Sequence, residues 1–152
     1  MSGNTSAAAE PSRRIENLIA SYAFLVDDGE FAELGELLAE AGFSLNGGPA
    51  VHGRDAIERL AHETLQTYGD GTPRTRHVTT NIIIEVDEQA GTATSRSYFT
   101  VFQSLPGFPL QAIASGRYHD RFQCRDGHWR FTERRVTTSF TGDVSRHVRA
   151  RR

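Results

Sequence analysis

The sequence predicts an α+β fold, helices first and then a meander of long strands pairing as an antiparallel sheet, and three features predict it. Apolar residues recur at helical spacing as far as Tyr68. From residue 75 onward the period is 2. The breaks between the later runs, 87–91, 104–109 and 125–128, include two of hairpin length, and Arg125-Asp126-Gly127-His128 is a tight-turn sequence.

The elements follow in order. Ser12 is placed to cap a first helix whose Ile15, Leu18, Ile19, Tyr22, Leu25 and Val26 keep the i, i+3, i+4 rule, and Gly29 ends it. A second helix is expected from about Glu30 to Ala41, with Phe31, Leu34, Leu37 and Leu38 on one side and Gly42 as its stop. A short strand at 43–45 leads to the turn Asn46-Gly47-Gly48-Pro49. Gly53-Arg54-Asp55 opens a third helix reaching about Tyr68, with His52 and Arg54 positioning its start. Strands are expected at 75–87, 92–103, 110–124 and 129–139. Residues 1–11 read as a frayed tail, 12–140 as one domain and 141–152 as a basic, solvated C-terminal tail.

Bulk properties narrow the function. A chain of 152 residues has room for one core. All 17 basic residues are Arg, an imprint of genome composition, and the net charge of -2 argues against a nucleic-acid partner. The single Cys124 excludes an intrachain disulfide and a cysteine-rich metal site. No apolar run approaches the ~20 residues that span a bilayer, and the first eleven residues lack the features of a secretory signal, so a reducing cytoplasmic setting is expected. The six His residues show no metal-ligand spacing, and neither a G-x-S-x-G motif nor a phosphate-binding loop occurs. No metal and no cofactor are expected.

Five motifs come in order: Tyr22-x4-Asp27-x-Gly29, Val51-His52-Gly53-Arg54-Asp55-Ala56-Ile57, Arg76-His77-x3-Asn81, Gly116-Arg117-Tyr118-His119-Asp120, and Asp126-Gly127-x-Trp129-Arg130-Phe131. Together they resemble the SnoaL-like branch of the nuclear transport factor 2-like superfamily over about residues 12–138. Scytalone dehydratase, bile-acid dehydratases, ketosteroid isomerase, polyketide cyclases and the small subunits of ring-hydroxylating dioxygenases share that fold. The resemblance implies a cone-shaped, cystatin-like α+β barrel, with three N-terminal helices on a curved sheet around a pocket.

His77 is the central candidate. It begins a strand after a Gly/Pro-rich loop, and a histidine can take and return a proton at neutral pH. On the residues alone a structural imidazole bonded to a carbonyl is the favoured reading; the resemblance reverses this and makes it the catalytic or pocket His. Alternation places His77, Thr79, Asn81 and Ile83 on one face and Val78, Thr80, Ile82 and Ile84 on the other. Asp27, near a helix C-terminus where a carboxylate is disfavoured, is the natural partner to orient the ring, while without the resemblance Asp27 or Asp28 simply solvating the helix end fits as well. Tyr22 lies in the helix stripe and is core in any reading; in the resembling dehydratases a Tyr here reaches the pocket, where its phenol would donate to a developing enolate.

Asn81, Tyr98 and His119 are expected as substrate-binding residues. The face of strand 116–122 that looks inward is left open, and Arg117 and Asp120 are expected to pair. The stretch Thr94–Thr100 has neither a second His nor a carboxylate, a departure from some dehydratases.

The expected activity is that of a cofactor-independent lyase or isomerase using His-Asp proton transfer on a hydroxylated or keto-bearing polycyclic or aromatic small molecule. The alternatives are a non-catalytic small subunit of a ring-hydroxylating dioxygenase, forming a homotrimer beside a large subunit, and a ligand-binding or cyclase protein of the same fold. An apolar outer sheet face (Val78, Ile82, Ile84, Val101) predicts a homodimer. No membrane partner is expected.

Overall fold

The computed structural model describes residues 10–150, so most of the expected N-terminal tail and the last two residues lie outside the described range. Three helices, α1 (Pro11–Asp27), α2 (Phe31–Leu37) and α3 (Arg54–Thr64), pack on six strands: β1 (Gly42–Leu45), β2 (Val51–His52), β3 (Thr75–Asp87), β4 (Thr92–Leu105), β5 (Phe108–Arg125) and β6 (His128–Thr141). The sheet order is β2-β1-β6-β5-β4-β3, antiparallel throughout except where β1 runs parallel to β6. This is the three-helix, curved-sheet α+β fold expected of the chain.

The helix ends differ slightly from expectation. Pro11 at the first helical position, not Ser12, starts α1, since a proline there loses no hydrogen bond and has its φ preset. The helix stops because Gly29 takes φ +71, where a side chain's Cβ would lie 2.1 Å from the Gly71 carbonyl oxygen. The third helix ends at Thr64, and Leu65 turns extended to bridge Val148. The two-residue β2 was not anticipated; two residues carry no period to read.

Long strands make the cone. β4 alternates strictly, burying Ala93, Ser95, Ser97, Phe99, Val101 and Gln103. On β5 the inward face is Gly116, Tyr118, Asp120 and Phe122, and Arg117, His119 and Arg121 face outward. Tyr118 and Phe122 share one core with Ile15, Ile19, Tyr22 and Val26 of α1. Asp126 and Gly127 both have positive φ, as a two-residue hairpin between twisted strands requires.

Among the bulges of the sheet, one in β3 and one in β6 reset the alternation around the site. In β3 the register shifts between Thr80 and Ile83, with Asn81 at φ 56. An extra residue bends the strand and reverses which side chains face the core. Ile84 therefore packs inward while Ile83 is exposed, the reverse of strict alternation. In β6 the register shifts where Glu133 pairs with Arg121 and Phe131 with Phe122, leaving Thr132 unpaired. That turns Arg134 and Val136 into the interior. Val101, expected outside, is also inside, so the exposed apolar face is Val78, Ile82, Ile83 and Tyr98.

The C-terminal segment is not a solvated tail. After β6, residues 142–149 form a strap fastened across the end of α3 and the loop beyond it. The Gly142 amide donates to Ile113 O at 2.7 Å, Gln66 N to His147 O at 2.9 Å and Arg149 N to Thr64 O at 2.8 Å. The Gln66 amide side chain donates to Ser145 O and Val148 O, Gln103 Nε2 to Arg146 O, and the Tyr68 hydroxyl to Arg146 O. Such bonds satisfy strap carbonyls that no strand partner reaches.

Candidate functional site

Between the helices, the inner sheet face and the strap lies a cavity of about 620 Å³. Its walls are mostly apolar: Val26, Leu34, Leu38, Phe43, Ile57, Leu60, Phe99, Val101 and Val136. The polar groups reaching it include Tyr22, His77, Tyr118 and His147. Few polar groups in a greasy hollow of this size is the usual make-up of a small-molecule site.

One wall is built where the end of α1 meets the start of β3. Helical spacing puts Asp27 on the buried side with Val26, and it is only 7 % exposed. Three donors from β3 satisfy it. The Thr75 hydroxyl donates to Oδ1 at 2.8 Å, the His77 amide to Oδ2 at 2.8 Å, and the His77 ring approaches Oδ1 through Nδ1 at 2.6 Å. A carboxylate can only accept, so Nδ1 carries a proton, and in the neutral ring Nε2 is the nitrogen with the lone pair. The contact is of charge-assisted length. Two residues fifty apart thus meet as an oriented imidazole at a cavity wall.

Tyr22, one turn before Val26 on the same helix, sets its ring edge-on to His77 with 6.5 Å between centroids. It also meets Tyr118 edge-on at 5.8 Å, and Tyr118 stacks on Phe99 at 4.6 Å. Neither phenol has a hydrogen-bond partner among the described residues. Burial raises both pKa values above the ordinary 10.0, that of Tyr118 strongly, with Arg134 opposing. Both stay protonated at neutral pH and can donate to a ligand oxygen.

Beneath these rings lies Arg134, fully buried, its guanidinium 4.1 Å from the Tyr22 centroid and 3.5 Å from that of Tyr118. Its counter-ion is Asp120, with Nε 3.0 Å from Oδ1. Ser95 Oγ lies 3.3 Å from Asp120 Oδ2. Burial raises the Asp120 pKa above its usual 3.8, with Arg134 and then Ser95 pulling it back. The expected Arg117–Asp120 pair does not form, because the two lie on opposite faces of β5. Arg117 instead sits over the Tyr98 ring at 5.3 Å on the outside.

Of the expected site residues, His77, Asp27 and Tyr22 come together. The three expected substrate-binding residues do not reach the cavity. Asn81 is exposed at the β3 bulge, Tyr98 is 45 % exposed on the outer face, and His119 lines a shallow outer depression of about 170 Å³ with Arg96 and Arg135. Strand alternation sends 98 and 119 outward once Phe99 and Tyr118 face in. Tyr118, Arg134 and His147 were missed. For His147 the available signal was Val144, His147 and Val148 at helical spacing in an otherwise basic stretch. Among the described residues no group of three or more His, Cys, Asp or Glu could hold a metal ion, and no helix is long and apolar enough to cross a membrane.

The family model described as the SnoaL-like domain matches residues 7–135. No curated protein matches the chain. Among solved structures, a variant of Rv3472, a function-unknown protein from Mycobacterium tuberculosis, is 26 % identical over 84 % of this chain and 71 % of its own, with a TM-score of 0.69. A scytalone dehydratase-like protein from Novosphingobium aromaticivorans is 26 % identical over 91 % of this chain and 89 % of its own, with a TM-score of 0.68. The beta subunit of an aromatic-ring-hydroxylating dioxygenase-type protein from the same organism shares the fold at 17 % identity and a TM-score of 0.65, covering 84 % of this chain and 88 % of its own.

Proposed function

Because the chain belongs to the SnoaL-like domain family, we propose that it is a cofactor-independent lyase or isomerase acting on a hydroxylated or keto-bearing polycyclic or aromatic small molecule. The observation that carries this reading is the 2.6 Å contact of Asp27 Oδ1 with His77 Nδ1 at the wall of an apolar cavity. His77 Nε2 removes a proton from the carbon beside a carbonyl, and the electron pair of that C–H bond moves onto the carbonyl oxygen as an enolate. Asp27 holds the ring's tautomer and stabilises the imidazolium that forms. Tyr22 donates to the enolate oxygen. The imidazolium then returns its proton to another carbon, giving an isomer, or to a departing β-hydroxyl, giving water and an alkene. A scytalone dehydratase-like relative at 26 % identity supports the same class of chemistry.

The test is exchange of the C2 protons of 1-tetralone in deuterated water, followed by NMR. A general base contributes about 10²–10⁴-fold, so His77→Ala is expected to remove enzymatic exchange and Asp27→Asn to slow it about 10²-fold or more, both variants remaining folded. Undiminished exchange in His77→Ala refutes the mechanism.

A second reading is favoured by the dioxygenase-type fold neighbour: a non-catalytic small subunit, which would co-purify with a large partner and show no exchange. Within the first reading the protein is a cytoplasmic homodimer joined through the outer face of β3 and β4, where Val78, Ile82, Ile83 and Tyr98 are 37–46 % exposed.

A further inference from the structure

His147 has no role in the chemistry above, yet it is set into the cavity wall. Its ring faces that of His77 across 6.1 Å, tilted by 59°. Backbone bonds on both sides fix it: its amide donates to Val144 O at 3.0 Å and its carbonyl accepts from Gln66 N at 2.9 Å. The residue is only 8 % exposed, and its Nδ1 is fully buried with no partner. A polar side chain that is more than nine-tenths buried and unpaired is costly unless something else satisfies it. Nothing on the strap, α3 or β4 does so among the described residues.

The ring's two nitrogens are not equivalent. Nδ1 is sealed from any ligand, which leaves Nε2 as the nitrogen that can present to the cavity. A buried N–H without an acceptor is rarer in proteins than an unused lone pair, so the neutral ring places its proton on Nε2. Burial, helped by His77 and opposed by Asp27, brings the His147 pKa down to about 4, so the ring is neutral at pH 7. The cavity therefore holds two imidazoles of opposite character: His77 offers a lone pair and His147 offers a donor. With 6.1 Å between their centroids, the two rings are close enough to meet one oxygenated ligand edge lying alongside them.

We propose that His147, carried in by the C-terminal strap, is a third ligand-contacting residue of the cavity beside His77 and Tyr22, its Nε2–H donating to the oxygen of a flat aromatic or polycyclic ligand beside the carbon that faces His77. The role rests on the proposed reading of the cavity, and it supplies from the end of the chain the second group that β4 lacks.

The test compares 1-naphthol with naphthalene, which lacks the oxygen, by isothermal titration. Wild type prefers 1-naphthol. His147→Phe, which keeps the volume and loses the donor, lowers the ratio of the two affinities about tenfold, and His147→Gln, whose amide N–H falls near Nε2, restores it. A ratio unchanged in His147→Phe, no recovery in His147→Gln, or no preference in wild type overturns the assignment. Should His147→Phe fail to fold, long-range ¹⁵N NMR of the wild-type ring decides. A proton on Nε2 whose resonance moves with 1-naphthol but not with naphthalene is expected, and a proton on Nδ1 overturns it. Tetralone exchange reports separately: if exchange is absent while the naphthol ratio still depends on His147, the catalytic reading falls and this one stands, and the converse result removes His147 alone.

Discussion

Acid should loosen this protein through His147. An unfolded histidine titrates near 6.5, whereas burial, with His77 adding to it and Asp27 opposing, brings His147 to about 4 in the folded chain. Between those values the unfolded chain binds a proton that the folded chain refuses, so stability falls as pH falls. Above about pH 7 the term vanishes. At pH 5 it amounts to about 2 kcal/mol, and below pH 4 it levels off at about 3 kcal/mol. The assay is urea denaturation of wild type and His147→Phe from pH 7.5 to 5.0. The variant has no proton to take up there, so wild type should lose about 2 kcal/mol relative to it over that range. Protonation by peeling of the strap would appear as faster amide exchange at Gln66 and Arg149, whose N–H groups hold the strap to α3. A stability difference that stays flat with pH, together with unchanged exchange at those amides, refutes the buried neutral ring.

Two other outcomes are expected. Asp120→Asn leaves the fully buried Arg134 charge without its counter-ion and should cost about 3–5 kcal/mol by urea denaturation, while Asp120→Leu combined with Arg134→Met costs less than Asp120→Asn alone. Val78→Glu, on the exposed face of β3, should convert the proposed dimer to monomer in sedimentation velocity with the fold intact, and a wild-type protein that is already monomeric at micromolar concentration removes that interface.

The fold was legible wherever a period is long enough to read. Six alternating buried positions in β4, or the Ile15, Ile19, Tyr22, Val26 stripe of α1, declare their buried faces because water penalises every other arrangement. Legibility failed at the bulges. One unpaired residue near Asn81 and another at Thr132 reverse the faces beyond them, and neither leaves a mark in composition. Hence Ile84 was read as outward, and Arg134, a residue type that is almost never buried unless paired, gave no sign that it lies under two tyrosines.

The site divides in the same way. Tyr22, Asp27 and His77 stood out in the sequence through motif order, and helical and strand spacing alone put each near the correct face. That Asp27 receives three donors, and that His147 comes to face His77, depends on contacts between segments 50 and 70 positions apart in the chain. Local period is a property of neighbouring residues, set by the geometry of helix and strand, and the sequence by itself determined it. Which distant groups share a cavity follows from how a bulged, curved sheet closes under its helices and strap, and only the tertiary structure decided that.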